Sequence, residues 1–138
     1  MSSNVDIAGG LLAPRNLFYP NLRVSKLLLS AGAPLNRVTT ALDGATPLIV
    51  AARNGCLPFV RLLLEHGANI NAKNDTGRTA VSFAAENGHV QILEVLHEHH
   101  ASIDTVDNNG ISPCIYAAKN ARTECIDFLL SRNWSNAS

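Results

Sequence analysis

The residues best suited to metal chemistry are the consecutive positions His97, Glu98, His99 and His100. Imidazole and carboxylate groups are common zinc ligands, but a tetrahedral site needs ligands that converge on one point. On a helix only residues three or four apart share a face, which leaves His97 and His100. No cysteine lies at ligand spacing beside them. We therefore interpret the cluster as a solvated helix end and predict no metal site and no cofactor.

Nucleophilic and phosphate-binding arrangements are also missing from the sequence. The nine glycines do not form a phosphate-binding loop, and no serine lies in a G-x-S-x-G turn. Cys56, Cys114 and Cys125 are an odd number of cysteines within helical patterns, which favours reduced thiols in a cytosolic protein over a disulfide framework. The carboxylates are scattered, as is usual for a solvated surface. We expect no enzyme activity.

Composition places the chain among globular domains. It has 138 residues, of which 46% are apolar and 16% charged, enough for one domain with a sizeable core. Eleven basic and eleven acidic residues cancel, so no bulk field attracts nucleic acid or an anionic membrane. The sequence has neither a signal-peptide pattern nor an apolar run long enough to cross a bilayer. We expect a cytoplasmic protein without a nucleic-acid partner and without direct membrane insertion.

The elements that must position any functional side chain recur at a fixed spacing. Gly44, Gly77 and Gly110 follow one another at a constant 33-residue period. The same interval separates the first residues of three alanine pairs and a set of leucines, namely Ala51, Ala84, Ala117, Leu63, Leu96 and Leu129. This period predicts units of two helices, whose apolar stripes can be buried only against neighbouring units.

Helix boundaries can be predicted inside each unit. Thr46, Thr79 and Ser112 have side chains that can cap the first helix, and Pro47 and Pro113 suit its first turn. Gly32 and Gly67 are expected to end second helices in the left-handed conformation.

The last two units depart from the glycine pattern. His100 and Asn133 hold the position of Gly32 and Gly67 in these units. Histidine there should cost about 1 kcal/mol, whereas asparagine tolerates the conformation. Trp134 replaces an alanine, so we expect the usual hairpin not to continue. No polar capping unit is visible, which suggests a fragment of a longer array.

The segment 44–55 reads G-x-T-P-L-x-x-A-A-x-x-G and, with the 33-residue period, resembles the ankyrin repeat. The resemblance implies an all-α ankyrin-repeat solenoid of about four helix-turn-helix units with short β-turn or hairpin tips. We predict a single domain, 1–138, with a two-residue insertion within 37–43. Its repeats are a degenerate one at 7–36 and three fuller ones at 44–71, 77–104 and 110–134.

A narrower resemblance covers 15–134. The segment 15–28, R-N-L-F-Y-P-N-L-R-V-S-K-L-L, resembles the opening of the ankyrin region of the TANC scaffold family, which includes the rolling pebbles proteins. Trp134 resembles the tryptophan that ends that family's first block of repeats. This resemblance implies a multi-domain intracellular scaffold at the cell cortex or the postsynaptic density of a synapse.

In an ankyrin stack, turn tips and first helices line a concave face that binds a protein or peptide partner. The variable positions on that face are the candidate contacts. They are Leu42, Asp43, Val50, Arg53, Asn54, Asp75, Thr76, Arg78, Phe83, Glu86, Asn87, Asn108, Asn109, Ile111, Tyr116, Lys119 and Asn120. Phe83 and Tyr116 either anchor a partner or pack between neighbouring first helices. For Tyr116 we favour the interface, because its hydroxyl needs an exit to water.

Three further expectations concern function. The alternative to a binding module is a structural spacer or self-association segment within a larger protein; we expect a monomer, with weak self-association through cut ends. Asn36 and Asn71 each follow a leucine by eight residues, which resembles the spacing in ankyrin substrates of asparaginyl hydroxylation. Alternatively, they only fix the turn through side-chain hydrogen bonds.

His89 matches a structural histidine of ankyrin repeats.

Overall fold

The computed structural model describes residues 22–33, 38 and 43–137, and within them it consists of helices joined by turns, without strands. The helices are α1 (Leu22–Ser30), α2 (Pro47–Asn54), α3 (Leu57–Glu65), α4 (Ala80–Glu86), α5 (Val90–Glu98), α6 (Pro113–Lys119) and α7 (Thr123–Ala137). None of these helices combines the length and apolar character needed to span a bilayer. The all-α prediction is confirmed.

The first helices begin where the sequence predicts. Thr46, Thr79 and Ser112 precede α2, α4 and α6, and each side chain accepts a hydrogen bond from the backbone N–H three residues later, at 3.3, 3.4 and 3.3 Å. Pro47 and Pro113 lie in the first turn, where a missing N–H breaks no helical bond. The start of each first helix is therefore determined by residues next to it in the sequence and does not depend on packing against other repeats.

The helices form two layers. The first helices α2, α4 and α6 pack side by side, and the second helices α1, α3, α5 and α7 form the other row. Between the layers lie Leu63, Leu96 and Leu129, each 0% exposed. Small alanines such as Ala51 and Ala84, also 0% exposed, let neighbouring first helices approach closely. The predicted stack is therefore present from α2 to α7.

Left-handed residues end the second helices as expected. Gly32 and Gly67 have φ of 90° and 87°. His100, which replaces them after α5, has φ of 69°. The histidine is thus held in a conformation that favours glycine.

The end of the last helix differs from the prediction. Asn133 does not adopt the left-handed conformation, because α7 runs through it to Ala137 and has 15 residues, whereas α3 and α5 have nine each. Asparagine inside a helix costs well under about 1 kcal/mol, so without a glycine nothing local stops the helix. Trp134 lies within α7, and the usual hairpin does not follow. Of the degenerate repeat only α1 and its following turn are described; its first half lies outside the described residues.

Candidate functional site

The candidate surface is the first-helix face, which we define as the turns 43–46, 74–79 and 107–112 together with α2, α4 and α6. Two buried polar residues organise the second and third of these turns. The Asn74 side-chain oxygen accepts from the backbone N–H groups of Thr76 and Arg78, at 3.1 and 2.9 Å. Asp107, at the equivalent position of the next repeat, makes the same two bonds at 2.9 Å each. Both of these turns are therefore shaped by a side chain of their own.

Backbone bonds join each turn to the next. The Asp75 N–H donates to the Asp43 carbonyl at 2.7 Å, and the Asn108 N–H donates to the Thr76 carbonyl at 2.9 Å. The Asn108 side-chain amide also donates to the Asp75 carbonyl, at 3.1 Å. These bonds fix the turn tips relative to one another, so the face is ordered before any partner arrives.

The opposite edge of the face, at the ends of the first helices, is joined in a similar way. His89 Nε2 donates to the Arg53 carbonyl at 3.0 Å, which confirms its structural role. One unit later, Arg122 Nε and the Asn120 side-chain amide donate to the Glu86 carbonyl, at 3.1 and 2.9 Å. A different side chain thus performs the same task in each junction.

Arg78 is the centre of the junction between α4 and α6. Its guanidinium lies 3.9 Å from the Phe83 ring centroid and 3.8 Å from that of Tyr116, an arrangement we call the Arg78 stack. Its Nη2 pairs with Glu86 Oε1 at 2.8 Å, and its Nε donates to Ser82 Oγ at 2.9 Å. The Arg78 side chain is only 13% exposed. The Arg78 charge is therefore stabilised within the protein, by an aromatic ring on each face of the guanidinium plane and by Glu86 at one edge.

The expectation that the Tyr116 hydroxyl needs an exit to water is wrong, whereas contact of Tyr116 with a partner stays a prediction. The hydroxyl donates to Asp107 Oδ2, and the residue is 9% exposed. Burial, followed by the bond to Asp107, raises the pKa of Tyr116. Burial also acts to raise the pKa of Asp107, but hydrogen bonds from Tyr116, Ile111 and Asn109 and the charge of Arg78 outweigh it and lower that pKa. The carboxylate is held in its ionised form.

The structure sorts the candidate contacts by exposure. The exposed ones are Asp43, Arg53, Asn54, Asp75, Asn108, Asn109, Lys119 and Asn120. The partly buried ones are Thr76, Arg78, Glu86, Asn87 and Ile111. Val50, Phe83 and Tyr116 are 8%, 6% and 9% exposed. Leu42 lies outside the described residues. The aromatic column therefore packs within the face, and the accessible part of the face is polar.

Asn71 connects two repeats. Its side-chain oxygen accepts from the Ser102 N–H at 3.0 Å, and its own N–H donates to the Asn69 side chain at 3.2 Å. Asn71 is exposed, so the bond is at the surface. The Asn71 side chain thus joins its turn to the equivalent turn of the next repeat; hydroxylation of Asn71 stays a prediction. Asn36 lies outside the described residues.

All three cysteines are free thiols. No group of three His, Cys, Asp or Glu side chains in the part of the chain that is described is placed to hold a metal ion. Burial raises the pKa of the Cys56 thiol, and burial together with Glu124 raises that of Cys125. A raised pKa keeps both groups as thiols near neutral pH, which lowers their nucleophilicity.

Sequence reasoning missed four residues that hold this face together. They are Asn74, Ser82, Asp107 and Arg122. The period contained a signal for two of them, since Asn74 and Asp107 hold equivalent positions of successive repeats and both precede a turn. Arg122 occupies the position that His89 has in the preceding repeat, but arginine gives no sign that it replaces a histidine.

Comparison with known proteins gives matches to ankyrin repeats over part of the chain. A family model described as "Ankyrin repeats (many copies)" matches residues 48–97 and 81–130. The rat (Rattus norvegicus) Ankyrin repeat and SOCS box protein 2 is 50% identical over 60 residues, 44% of this chain and 9% of that protein. The chicken (Gallus gallus) Arf-GAP with coiled-coil, ANK repeat and PH domain-containing protein 2 is 41% identical over 69 residues, covering 50% and 9%. The mouse (Mus musculus) B-cell lymphoma 3 protein homolog is 46% identical over 55 residues, covering 40% and 12%. The match spans about a tenth of each relative's length.

Proposed function

Because the chain belongs to the ankyrin-repeat family, we propose that it is a protein-interaction module that binds a protein or peptide on the concave side of the stack, through the first-helix face. The observation that carries this proposal is the set of exposed polar side chains on a backbone that the neighbouring repeats already fix. A preformed surface loses little conformational entropy when a partner binds. Ankyrin repeats generally mediate protein–protein interaction, which agrees with this use of the face.

The exposed side chains favour a polar contact. Asp43 and Asp75 lie at the turn tips, whereas Arg53 and Lys119 lie at the ends of first helices, and all four are exposed. The opposite charges occupy opposite edges of the face. We infer that a partner is oriented by charges of both signs and that added salt weakens its binding. Phe83 and Tyr116 are buried beneath these exposed side chains and stabilise the surface through the Arg78 stack.

We place the module in a larger multi-domain intracellular scaffold. The segment 15–28 and Trp134 support a relationship to the TANC family and, with it, a cytoplasmic location at the cell cortex or postsynaptic density. The names of the relatives mention a SOCS box and a PH domain, so repeats of this kind occur beside other domains. The Arf-GAP activity in one name belongs to that protein; for this chain we propose binding and no catalysis.

A capture experiment with matched triple variants tests the face. The test variant removes exposed charges from the first-helix face through Arg53→Ala, Asp75→Ala and Lys119→Ala. The control variant removes the same number of basic and acidic charges from α1, α3 and α5 through Lys26→Ala, Arg61→Ala and Glu94→Ala, all exposed. Neither triple touches a buried side chain, and alanine at 53 keeps the carbonyl that His89 contacts.

Each variant is immobilised beside the wild type and used to capture proteins from a cell lysate. We expect some proteins to be retained by the wild type and the control but lost from the first-helix triple. Equal retention by all three would reject this face as the binding site. Variants of Phe83 or Tyr116 are unsuitable here, because they would break the Arg78 stack and loosen the repeat junction.

A further inference from the structure

The pair Asn-Gly occurs three times in the sequence, at 54–55, 87–88 and 109–110. In such a pair the backbone nitrogen of the glycine can attack the side-chain carbonyl carbon of the asparagine and close a five-membered succinimide ring. Glycine favours this reaction because it has no Cβ and its backbone adopts many conformations. In a folded protein the rate also depends on how easily the backbone of the pair leaves its folded conformation. The three pairs differ in this respect.

The glycines of the first two pairs are held by packing between repeats. A Cβ built on Gly55 would lie 2.8 Å from the His89 ring, and a Cβ built on Gly88 would lie 3.0 Å from the Arg122 side chain. Both glycines are therefore in contact with a side chain of the next repeat. Closure of a succinimide ring at either pair would disturb a repeat junction.

The asparagines of these two pairs are also held at the ends of first helices. Asn54 is the last residue of α2, and its side-chain oxygen accepts from Arg53 Nη1 at 3.2 Å. Asn87 directly follows α4, and its side-chain nitrogen donates to the Phe83 carbonyl at 3.1 Å. Each side chain would have to leave its bond, and each backbone its helical end, before the ring could close.

The third pair lies in the turn 107–112, outside any helix. Asn109 and Gly110 are both exposed, and a Cβ built on Gly110 would meet nothing within 4 Å. Among the residues that the structure describes, none holds the Asn109 side-chain amide by a hydrogen bond. The Gly110 N–H donates to the Asp107 carbonyl at 2.9 Å, so this one surface bond must open. The peptide group between Asn109 and Gly110 can then turn without disturbing a repeat junction.

We propose that Asn109 is a site of spontaneous deamidation in the folded protein. The Gly110 nitrogen forms a bond to Asn109 Cγ and loses its proton, the Cγ–Nδ2 bond breaks, and ammonia leaves. Water then opens the succinimide at one of its two carbonyl groups, which gives aspartate or isoaspartate at position 109. The net reaction consumes one water, releases ammonium and replaces a neutral amide by a carboxylate.

The two products differ in what they do to the turn. Asp43 holds the position of Asn109 in an earlier repeat and is exposed, so the aspartate product suits this position. Isoaspartate lengthens the main chain by one carbon between two N–H groups that Asp107 holds, so it should distort the turn. A further consequence rests on the function proposed above: the new charge joins Asp43 and Asp75 at the turn tips of the first-helix face and changes its affinity for a charged partner.

Peptide mass spectrometry of the whole chain, incubated in its folded form at neutral pH, tests the proposal. We expect Asn109 to deamidate faster than Asn54 and Asn87 by about tenfold or more, which corresponds to a barrier difference of about 1.4 kcal/mol. Peptides with isoaspartate should accompany those with aspartate, because direct hydrolysis of the amide gives aspartate alone. In urea the three pairs should react at similar rates, since the repeat junctions are then lost.

A variant of a repeat junction is the matched control. His89→Ala uncovers Gly55, so it should accelerate deamidation of Asn54 and leave the rate at Asn109 unchanged; circular dichroism checks that the variant is folded. Similar rates at the three pairs in the folded wild type, or a faster reaction at Asn54 or Asn87, would overturn the proposal. So would an Asn109 that reacts only in urea.

The rates are measured without a partner and are therefore independent of the proposed function. Capture of proteins with Asn109→Asp, which mimics the aspartate product, tests the consequence for binding separately. We expect the variant to retain a different amount of the proteins that depend on the first-helix face. Equal retention by the wild type and Asn109→Asp would overturn the effect on binding.

Discussion

Asp107 is a buried carboxylate whose charge is stabilised by groups from two elements. Its oxygens accept from two backbone N–H groups of its own turn and from the Tyr116 hydroxyl on α6. These bonds and the charge of Arg78 lower its pKa in spite of burial. The folded protein therefore prefers the ionised form more strongly than the unfolded chain does.

This preference predicts how stability depends on pH. The contribution of Asp107 is present above the ordinary aspartate pKa of about 3.9 and is lost as the pH falls through the lower folded pKa. Below about pH 4 the wild type should thus lose more unfolding free energy than Asp107→Asn, which cannot titrate. Urea unfolding measured at neutral and acid pH gives this comparison.

The natural control for that variant is Asn74. Its amide shapes the equivalent turn through the same two backbone bonds, so an asparagine at 107 should preserve the turn. Asn74→Ala should lower stability by a similar amount at every pH, because no proton is involved. If the wild type and Asp107→Asn lose the same unfolding free energy between neutral and acid pH, the effect comes from other carboxylates.

Ala121 is strained where the two preceding repeats have glycine. Its φ of 56° lies in the left-handed region, which costs a residue with a Cβ about 1 kcal/mol relative to glycine. We expect Ala121→Gly to raise the free energy of unfolding by roughly this amount, measured by urea denaturation. The reverse change, Gly55→Ala, adds the strain and a contact 2.8 Å from His89, so it should destabilise by more than Ala121→Gly stabilises. A destabilising Ala121→Gly would contradict the strain.

At the scale of the helices, the Arg78 stack joins α4 to α6 through a guanidinium between two rings. Lysine keeps the charge but cannot stack its plane on Phe83 and Tyr116, and it loses the Nε bond to Ser82. We expect Arg78→Lys to lower the free energy of unfolding by about 1–2 kcal/mol. Faster hydrogen exchange in α6 than in α2 would locate the loss at this junction. Arg53→Lys, at an exposed helix end, should change stability by less than about 0.5 kcal/mol.

The helices themselves could largely be predicted from the sequence, because their signals are local. A threonine cap followed by proline starts α2, and the 33-residue period repeats that information. The length of α7 could not be predicted in this way. The prediction of where second helices end relied on a terminating glycine, which the last repeat lacks. Periodicity indicates where a helix belongs but says little about where it stops when the terminating residue has changed.

The candidate site was harder to predict than the fold, because its contacts join residues of different repeats. Arg78 occupies a turn position that is Ala45 in one repeat and Ile111 in another. Because the residue at this position varies between repeats, we expected it to lie on the surface. Its partner Tyr116 lies on the next first helix. Exposure of a polar residue in a repeat protein is thus decided by its neighbour along the stack, which no local pattern reports.

At the scale of the whole molecule, the cohesion is between nearest neighbours. The bond from His89 to the Arg53 carbonyl and that from Arg122 to the Glu86 carbonyl each link one repeat to the next. The alanine pairs are likewise buried by adjacent first helices. Stability should therefore approximate a sum over repeats and junctions, as in other repeat proteins.

Double-mutant cycles test this additive description. Thr46→Ala and Ser112→Ala each remove a helix cap, worth about 1 kcal/mol, from repeats that do not adjoin. Their effects on the free energy of unfolding should add within about 0.5 kcal/mol. Arg78→Lys and Tyr116→Leu break the same stack across one junction, so their combined effect should be smaller than the sum by at least about 0.5 kcal/mol. Coupling between the distant caps, or additivity across the stack, would mean that cohesion is not set by adjacent repeats.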